Sequence, residues 1–456
     1  MPDAMRGETN RRSICIHARG RLTAEEVRFW EDLRSALNRG GIELYLIVHH
    51  LPQIPSDLPV IQVPNGLESF WHLIQSTGWV EDDNSPPIPQ EEFLLERESS
   101  FRQAPQDSWR GALRRRALRF ARDFYATALT RSRPDLMLIW NGQHAQELLF
   151  SNLCKSCGCP VEYIERGPFP GTIQVDAEGI LGGSSVARIT DWRWSSEASR
   201  RASSVQYERL VEFYRLGGKT WWEQPQNQEP EALRRKLGID PLALVILFAA
   251  QVDADTQNIL FSPLFKENLD ALQWLAARLK ERPGVFLLGK HHPKSPVSPD
   301  ECRKIVGNAG TWTTDVSLFD ALQLADRVAA VNSTVLYEGL IAGKPALSMG
   351  RSLLSGKCIS YEMQDRHAGV DVLDSWIEGR GDAERQNRWR DFAAYLLAEH
   401  LYAFTVQVPD LGLKGPAQLA QALEARIPEA GQADYAHLQA SPALADYFQT
   451  FGSSRQ

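Results

Sequence analysis

The chain lacks the basic surplus that nucleic acid would demand: its 456 residues carry a formal net charge of −7, whereas phosphate contacts call for a basic face. Small molecules, sugars and proteins remain as partners. It also lacks any apolar run near the roughly 18 residues of a membrane span, the longest, Leu242–Ala250, being of strand length. The opening stretch MPDAMRGETNRRSICIHARG has no apolar core of the kind a secretory signal carries, so a cytoplasmic location is expected. Cysteine is scarce and scattered, six residues in all, which fits a reducing compartment rather than a disulfide scaffold. Only Cys154, Cys157 and Cys159 cluster, without a paired C-x2-C or an evident fourth ligand, so thiols near a helix end are expected and a metal is not.

With 43% hydrophobic and 23% charged residues, the composition is that of an ordinary globular protein, and the length predicts two or three domains. Strand Ser13–His17, helix Ala24–Asn38 and strand Ile42–Val48 predict a βαβ opening. A loop is expected at Asp82–Pro87. A long helix is expected over Ser108–Arg133, dense in arginine from Arg110 to Arg122. Such a helix lies on an anionic membrane surface, holds an anionic substrate or simply presents a solvated face. Strands follow at Asp135–Trp140 and Val161–Ile164, the latter leading into a loop, Glu165–Thr172, rich in glycine and proline.

The polar segment EQPQNQEPE, 223–231, predicts a linker between a first α/β domain, 1–222, and a second, 232–382. A helical segment, expected over Ala383–Phe404, and a peripheral tail complete the chain, 383–456. The pattern predicts two Rossmann-like doubly wound α/β domains facing a cleft.

Residues suited to chemistry fall at strand ends. The stretch Asp326–Gly350 reads as a buried strand, a polar turn at Asn332–Ser333–Thr334 and a helix whose first turn favours an anion. The strand expected at Val285–Leu288 leads to Gly289–Lys290–His291–His292–Pro293, where Lys290 and His292 are placed to bind or protonate a departing phosphate. After Leu242–Ala250 come Gln251, Asp253 and Asp255. Either carboxylate is placed to act as nucleophile or base, or simply to cap the next helix. Glu165, if it faces them across the cleft, would complete the kind of carboxylate pair that retaining glycosyl transfer uses, about 5–5.5 Å apart in retaining hydrolases.

These motifs together, YIERGPFPGT with Asp176 and Gly179, FAAQVDADTQ, KHHPKS and NSTVLYEGLIAGKPALSMG, resemble the bacterial capsule-polysaccharide biosynthesis family, which includes retaining β-Kdo glycosyltransferases. The resemblance covers about Glu165 to Gly350. It implies a GT-B-like architecture and transfer of Kdo, an acidic eight-carbon ketose, from CMP-Kdo to a sugar or glycolipid acceptor in capsule or O-antigen synthesis. By position it implies Asp255 as the nucleophile that forms a covalent adduct, with Asp253 second, and Glu165 as acid/base. Lys290, His292, Asn332, Ser333 and Thr334 would surround the CMP phosphate, and Arg166, Gln251 and Glu338 would contact substrate. His291 departs from the family pattern, which has proline there. No metal or other cofactor is implied; Asp253–Ala254–Asp255 has the spacing of a metal motif but would have to serve also as nucleophile. The competing expectations are another donor, a CMP-sialic acid or a UDP- or GDP-sugar, and a non-catalytic capsule assembly or export factor. Peripheral contact with the inner membrane is expected only from the arginine-rich helix.

Overall fold

The computed structural model describes residues 12–18, 22–48, 56–63, 74, 79, 87–102, 109–217, 225, 227–405, 411–428, 433–438 and 444. The expected loop at 82–87 lies almost wholly outside these residues, as do positions 223, 224 and 226 of the expected linker and the Arg110 side chain; the end of that linker, Pro230 and Glu231, begins the helix Pro230–Lys236. The strands in chain order are β1 (Arg12–Ala18), β2 (Ile42–Val48), β3 (Val60–Gln62), β4 (Leu136–Trp140), β5 (Val161–Arg166) and β6 (Thr172–Asp176), then β7 (Leu244–Ala249), β8 (Val285–Lys290), β9 (Gly310–Thr313), β10 (Arg327–Ala330), β11 (Ala346–Ser348), β12 (Tyr361–Glu362) and β13 (Leu401–Ala403).

The first sheet runs β13-β6-β5-β4-β1-β2-β3 and the second β12-β11-β10-β7-β8-β9. In both, the first strand lies inside the sheet and the order reverses beside it, between β1 and β4 and between β7 and β10. That reversal makes two Rossmann-like doubly wound domains, with ligand crevices at the carboxyl ends beside the switch points. The second sheet is wholly parallel, and its apolar strands are buried on both faces, as β7 (LVILFA) illustrates. The first sheet adds an antiparallel edge of β6 and β13.

The C-terminal segment departs from expectation. A single helix over Ala383–Phe404 is replaced by a helix, Asp382–Tyr395, a wide turn at Leu396–His400 and then β13, because pairing with β6 outweighs helical continuation. The helix Pro416–Glu424 then packs Leu419, Ala420 and Leu423 into the core of Trp30, Leu33 and Phe404. The tail is not peripheral either: Tyr435 and Leu444 are buried in the first-domain core, and the Tyr435 hydroxyl donates to the Pro134 carbonyl. Conversely, the helix Glu197–Arg215, upstream of the expected linker, buries Tyr207 and Leu210 in the second-domain core with Val245, Leu336 and Trp389.

The arginine-rich helix forms as Trp109–Ser132, but its charge is partly neutralised within the domain. Arg119 Nε lies 3.0 Å from Glu91, Arg115 lies 2.7 Å from Glu92, and Arg122 pairs with Asp123. Among the described residues no helix is long and apolar enough to cross a membrane.

Candidate active site

Beyond β7 the chain enters a polar network at the second switch point. Gln251 is buried, and its amide exchanges two hydrogen bonds with Asn332 at the end of the adjacent strand β10: Nε2 donates to Asn332 Oδ1 at 2.7 Å, and Asn332 N donates to Gln251 Oε1 at 3.1 Å. Asn268 grips the Gln251 backbone from the other side, at 3.1 and 2.9 Å. Gln251 is thereby a strut that joins two strand ends, and Asn332 is its partner.

Asp253 and Asp255 have different surroundings. Asp253 Oδ1 accepts from Asn268 N at 2.7 Å and from Asn268 Nδ2 at 2.6 Å, holding the start of the helix Asn268–Leu279. Asp255 caps the short helix Thr256–Phe261, accepting only from Gln257 N at 2.8 Å. It keeps an open face to solvent, yet the protein crowding it raises its carboxyl above the ordinary value; the Gln257 amide offsets this in part. Asp255 therefore has acceptor capacity to spare, and Asp253 has an anchoring role.

Lys290 ends β8 and is only 6% exposed, yet among the described residues its ammonium has no hydrogen-bond or ion-pair partner. Loss of hydration lowers its pKa, and the one charge that opposes this is Asp315. An ammonium so closely surrounded and unpaired gains from the arrival of an anion. Gly289 is required beside it, since a Cβ there would come 2.0 Å from the Trp312 ring. His291 turns away, its N–H on Thr313 O at 2.9 Å and its ring edge-on to Trp312. His292 Nδ1 accepts from Lys294 N at 3.0 Å, which makes Nε2 the protonated nitrogen of the neutral ring. Loss of hydration first, then Lys290 and His291, lower its pKa and favour that neutral form.

The turn after β10 differs in detail from expectation. The helix is Val335–Ile341, a residue past the three polar ones; Thr334 already has helical angles and its hydroxyl makes no cap, while Ser333 Oγ accepts from Val335 N at 3.3 Å. Both hydroxyls lie at the end of the strand adjacent to β7, on whose other side β8 delivers Lys290. Glu338 is set apart from this group. It lines a cavity of about 280 Å³ with Tyr214, Phe319, Leu322 and Lys344, and burial pushes its carboxyl up to about 8.

In the first domain, Glu165 at the end of β5 accepts from Asn141 Nδ2 and from Arg166 N, each at 2.9 Å. Asn141 reaches it from a left-handed turn, φ 63°, followed by Gly142, where a Cβ would strike the Tyr163 ring at 2.2 Å. Arg166 lies 3.4 Å from Glu26. Glu165 makes no contact with Asp253 or Asp255, and no carboxylate contributes to the raised pKa of Asp255.

Residues that the motifs contained but that drew no role complete the arrangement. Asp176 accepts from the N–H groups of Glu178, Gly179 and Ser185, shaping the loop after β6. That loop reaches the second domain, where Gly182 N donates to Gln257 Oε1 at 3.2 Å and the Lys357 ammonium, wholly buried, donates to Ala187 O at 2.9 Å. The helix Glu91–Arg102 also touches the helix Thr256–Phe261. Cys154, Cys157 and Cys159 are buried thiols; Cys157 Sγ lies 4.0 Å from His437 Nε2, and burial pushes its thiol up to about 11. Among the described residues no three His, Cys, Asp or Glu side chains gather as a metal set would require.

No protein-family model matches the chain. It is similar to Protein FixF of Sinorhizobium fredii (strain NBRC 101917 / NGR234), at 26% identity over 287 residues, 61% of this chain and 63% of that protein, so less than two thirds of the relative is spanned. Among solved structures it is similar to the β-Kdo 2,7 transferase of Thermosulfurimonas dismutans KpsC, with a TM-score of 0.43 and 14% identity, covering 91% of this chain and 99% of that one. The β-Kdo 2,4 transferase of the same KpsC gives 0.40 and 14%, covering 57% and 79%. The UDP-GlcNAc 2-epimerase of Neisseria meningitidis bound to UDP-GlcNAc gives 0.33 and 11%, covering 85% and 98%. The assignment of two Rossmann-like domains is carried by the sheet orders themselves, with the anion-ready groups Lys290, His292, Ser333 and Thr334 at the carboxyl ends of the second sheet.

Proposed function

We propose that the chain is a retaining glycosyltransferase that moves Kdo from CMP-Kdo to a sugar or glycolipid acceptor in capsule or O-antigen synthesis. The observation that carries the reading is Lys290, buried at a strand end with an ammonium that pairs with no described residue, beside a neutral His292 whose Nε2 is a donor. Such a pair suits the phosphate of a leaving nucleotide, with the Ser333 and Thr334 hydroxyls completing its shell. Asp255 attacks the anomeric carbon, the bond to CMP breaks, and the sugar is held as an ester of the carboxylate. Crowding that raises the pKa of Asp255 makes it a stronger nucleophile than a fully hydrated carboxylate. The acceptor hydroxyl, deprotonated by Glu165, then displaces Asp255 from the opposite side, so two inversions give retention. In this scheme Glu165 must approach the sugar, and the acceptor lies on the first-domain side.

Calorimetry with CMP, UDP and GDP tests the donor, and CMP is expected to bind tightest; a preference for UDP or GDP would move the activity to another sugar nucleotide. A one-sugar mass increment on the peptide containing Asp255, after incubation with CMP-Kdo, tests the covalent step. CMP-Kdo that survives intact with and without acceptors would leave a binding role instead.

A further inference from the structure

Gln257 stands where the two domains touch. Its N–H holds Asp255 Oδ1 at 2.8 Å, its carbonyl accepts from Asn332 Nδ2 at 2.8 Å, and its side-chain Oε1 accepts from Gly182 N of the first domain at 3.2 Å. The last bond fixes the amide, because only the oxygen can receive an N–H. Nε2 is then turned into the protein, buried and without a partner among the described residues, where the contact with Gly182 is the side chain's one hydrogen bond. The surfaces are pressed together there: a Cβ at Gly182 or Gly183 would come 3.1 Å from the Phe261 ring.

The first-domain side of this contact is stiff. Asp176 gathers the amides of Glu178, Gly179 and Ser185, and Lys357 holds Ala187 O beyond the contact. On the second-domain side, the Asp255 carboxyl responds only to crowding and to the Gln257 amide. The neighbouring helix Glu91–Arg102 carries Glu96, Arg97 and Glu98, none of which acts on it.

We propose that Gln257 is a positioning residue, which couples the seating of the loop around Gly182 to the orientation and hydration of Asp255. The inference rests on the reading of Asp255 as nucleophile and adds to it a link between the domains. Gln257→Ala removes the bond to Gly182 and admits more water to the side of Asp255 that the protein crowds. Gln257→Glu keeps an acceptor for Gly182 and adds a negative charge near Asp255.

The test follows the full chain as wild type, Gln257→Ala and Gln257→Glu. Hydrogen exchange at the Gly182 amide is expected to speed up in Gln257→Ala and to stay slow in Gln257→Glu. With CMP-Kdo, kcat falls about tenfold to a hundredfold in Gln257→Ala, while CMP affinity and Tm hold. The acidic limb of kcat moves to lower pH in Gln257→Ala and to higher pH in Gln257→Glu. Unchanged Gly182 exchange in Gln257→Ala, or limbs that do not move in opposite directions, would overturn the coupling. So would a kcat loss matched by an equal loss of CMP affinity and Tm. If the wild type transfers from no nucleotide sugar, the proposed function fails separately. Carbodiimide labelling of Asp255 against pH, read by mass spectrometry, then judges the coupling alone: opposite shifts sustain it and identical profiles overturn it.

Discussion

The strand ends of the two domains carry similar charges in opposite states. In the first, Glu165 is held by Asn141 and by the Arg166 amide, and Arg166 leans on Glu26. In the second, Lys290 is nearly as deeply buried as Glu26, yet its ammonium pairs with no described residue, and Asp255 has one amide for its carboxylate. A satisfied charge is part of the structure, whereas a buried unsatisfied one is waiting for a ligand. The contrast is what the proposed function builds on, with the anionic leaving group on the second domain and the acceptor on the first.

Removing the proposed nucleophile sharpens the contrast most. Asp255→Asn is expected to lower transfer on the order of 10³-fold or more while CMP binds with ordinary affinity. Asp253→Asn instead weakens the hold on Asn268 and shows itself first in Tm; an active Asp255→Asn enzyme would remove the nucleophile assignment.

Glu338 offers the next largest effect, read in stability. Its folded-state pKa of about 8 lies above the unfolded value near 4.5, so the folded chain binds the extra proton between them. Stability from this group is complete below pH 4.5 and is lost as pH rises through 8, at up to about 1.4 kcal/mol per pH unit. Thermal unfolding of Glu338→Gln against wild type should therefore show an advantage that grows from pH 4.5 to 8 and then levels off. A constant difference across that range would mean that Glu338 is hydrated and ionised.

Much of this layout was legible in the chain. The β1, β2, β4, β5, β7, β8 and β10 strands follow apolar runs bounded by turn residues, and β2 begins and ends where its run does. The proposed site residues Gln251, Lys290 and Asn332 were found in the sequence because each lies at or just past the end of such a strand. β13 was not, since three residues after a helix carry no period of their own and become a strand only by meeting β6. The separation of Glu338 was hidden for a related reason: it shares a motif with Ser333, but one helical turn carries it to a cavity walled by Tyr214, far away in sequence. Gln257 and Asn268 act through partners across the fold, which spacing alone does not reveal.

Lys290 and Arg166 give the direct comparison of the two strand ends. Lys290→Met removes a charge-assisted contact to the leaving phosphate, about 1.5–3 kcal/mol, so CMP should bind roughly ten- to a hundredfold more weakly. Its Tm should hold or rise, because the substitution also removes a partly desolvated ammonium that no described group pairs. A fall in Tm would mean that Lys290 has a structural partner.

Arg166→Gln is the smallest change and the strictest control. The guanidinium is half exposed and 3.4 Å from Glu26, a pair worth about 0–1 kcal/mol, and Glu26 keeps the Thr23 amide at 2.8 Å after the loss. Unfolding should move little and CMP affinity should stay within about twofold by calorimetry. The acceptor side is where an effect belongs, as a raised KM for acceptor with the donor KM unchanged. If Arg166→Gln weakened CMP as much as Lys290→Met does, the nucleotide would be touching both strand ends. The division of labour between a satisfied first domain and an unsatisfied second one would then fail, because a charge already paired with Glu26 would be serving the leaving group.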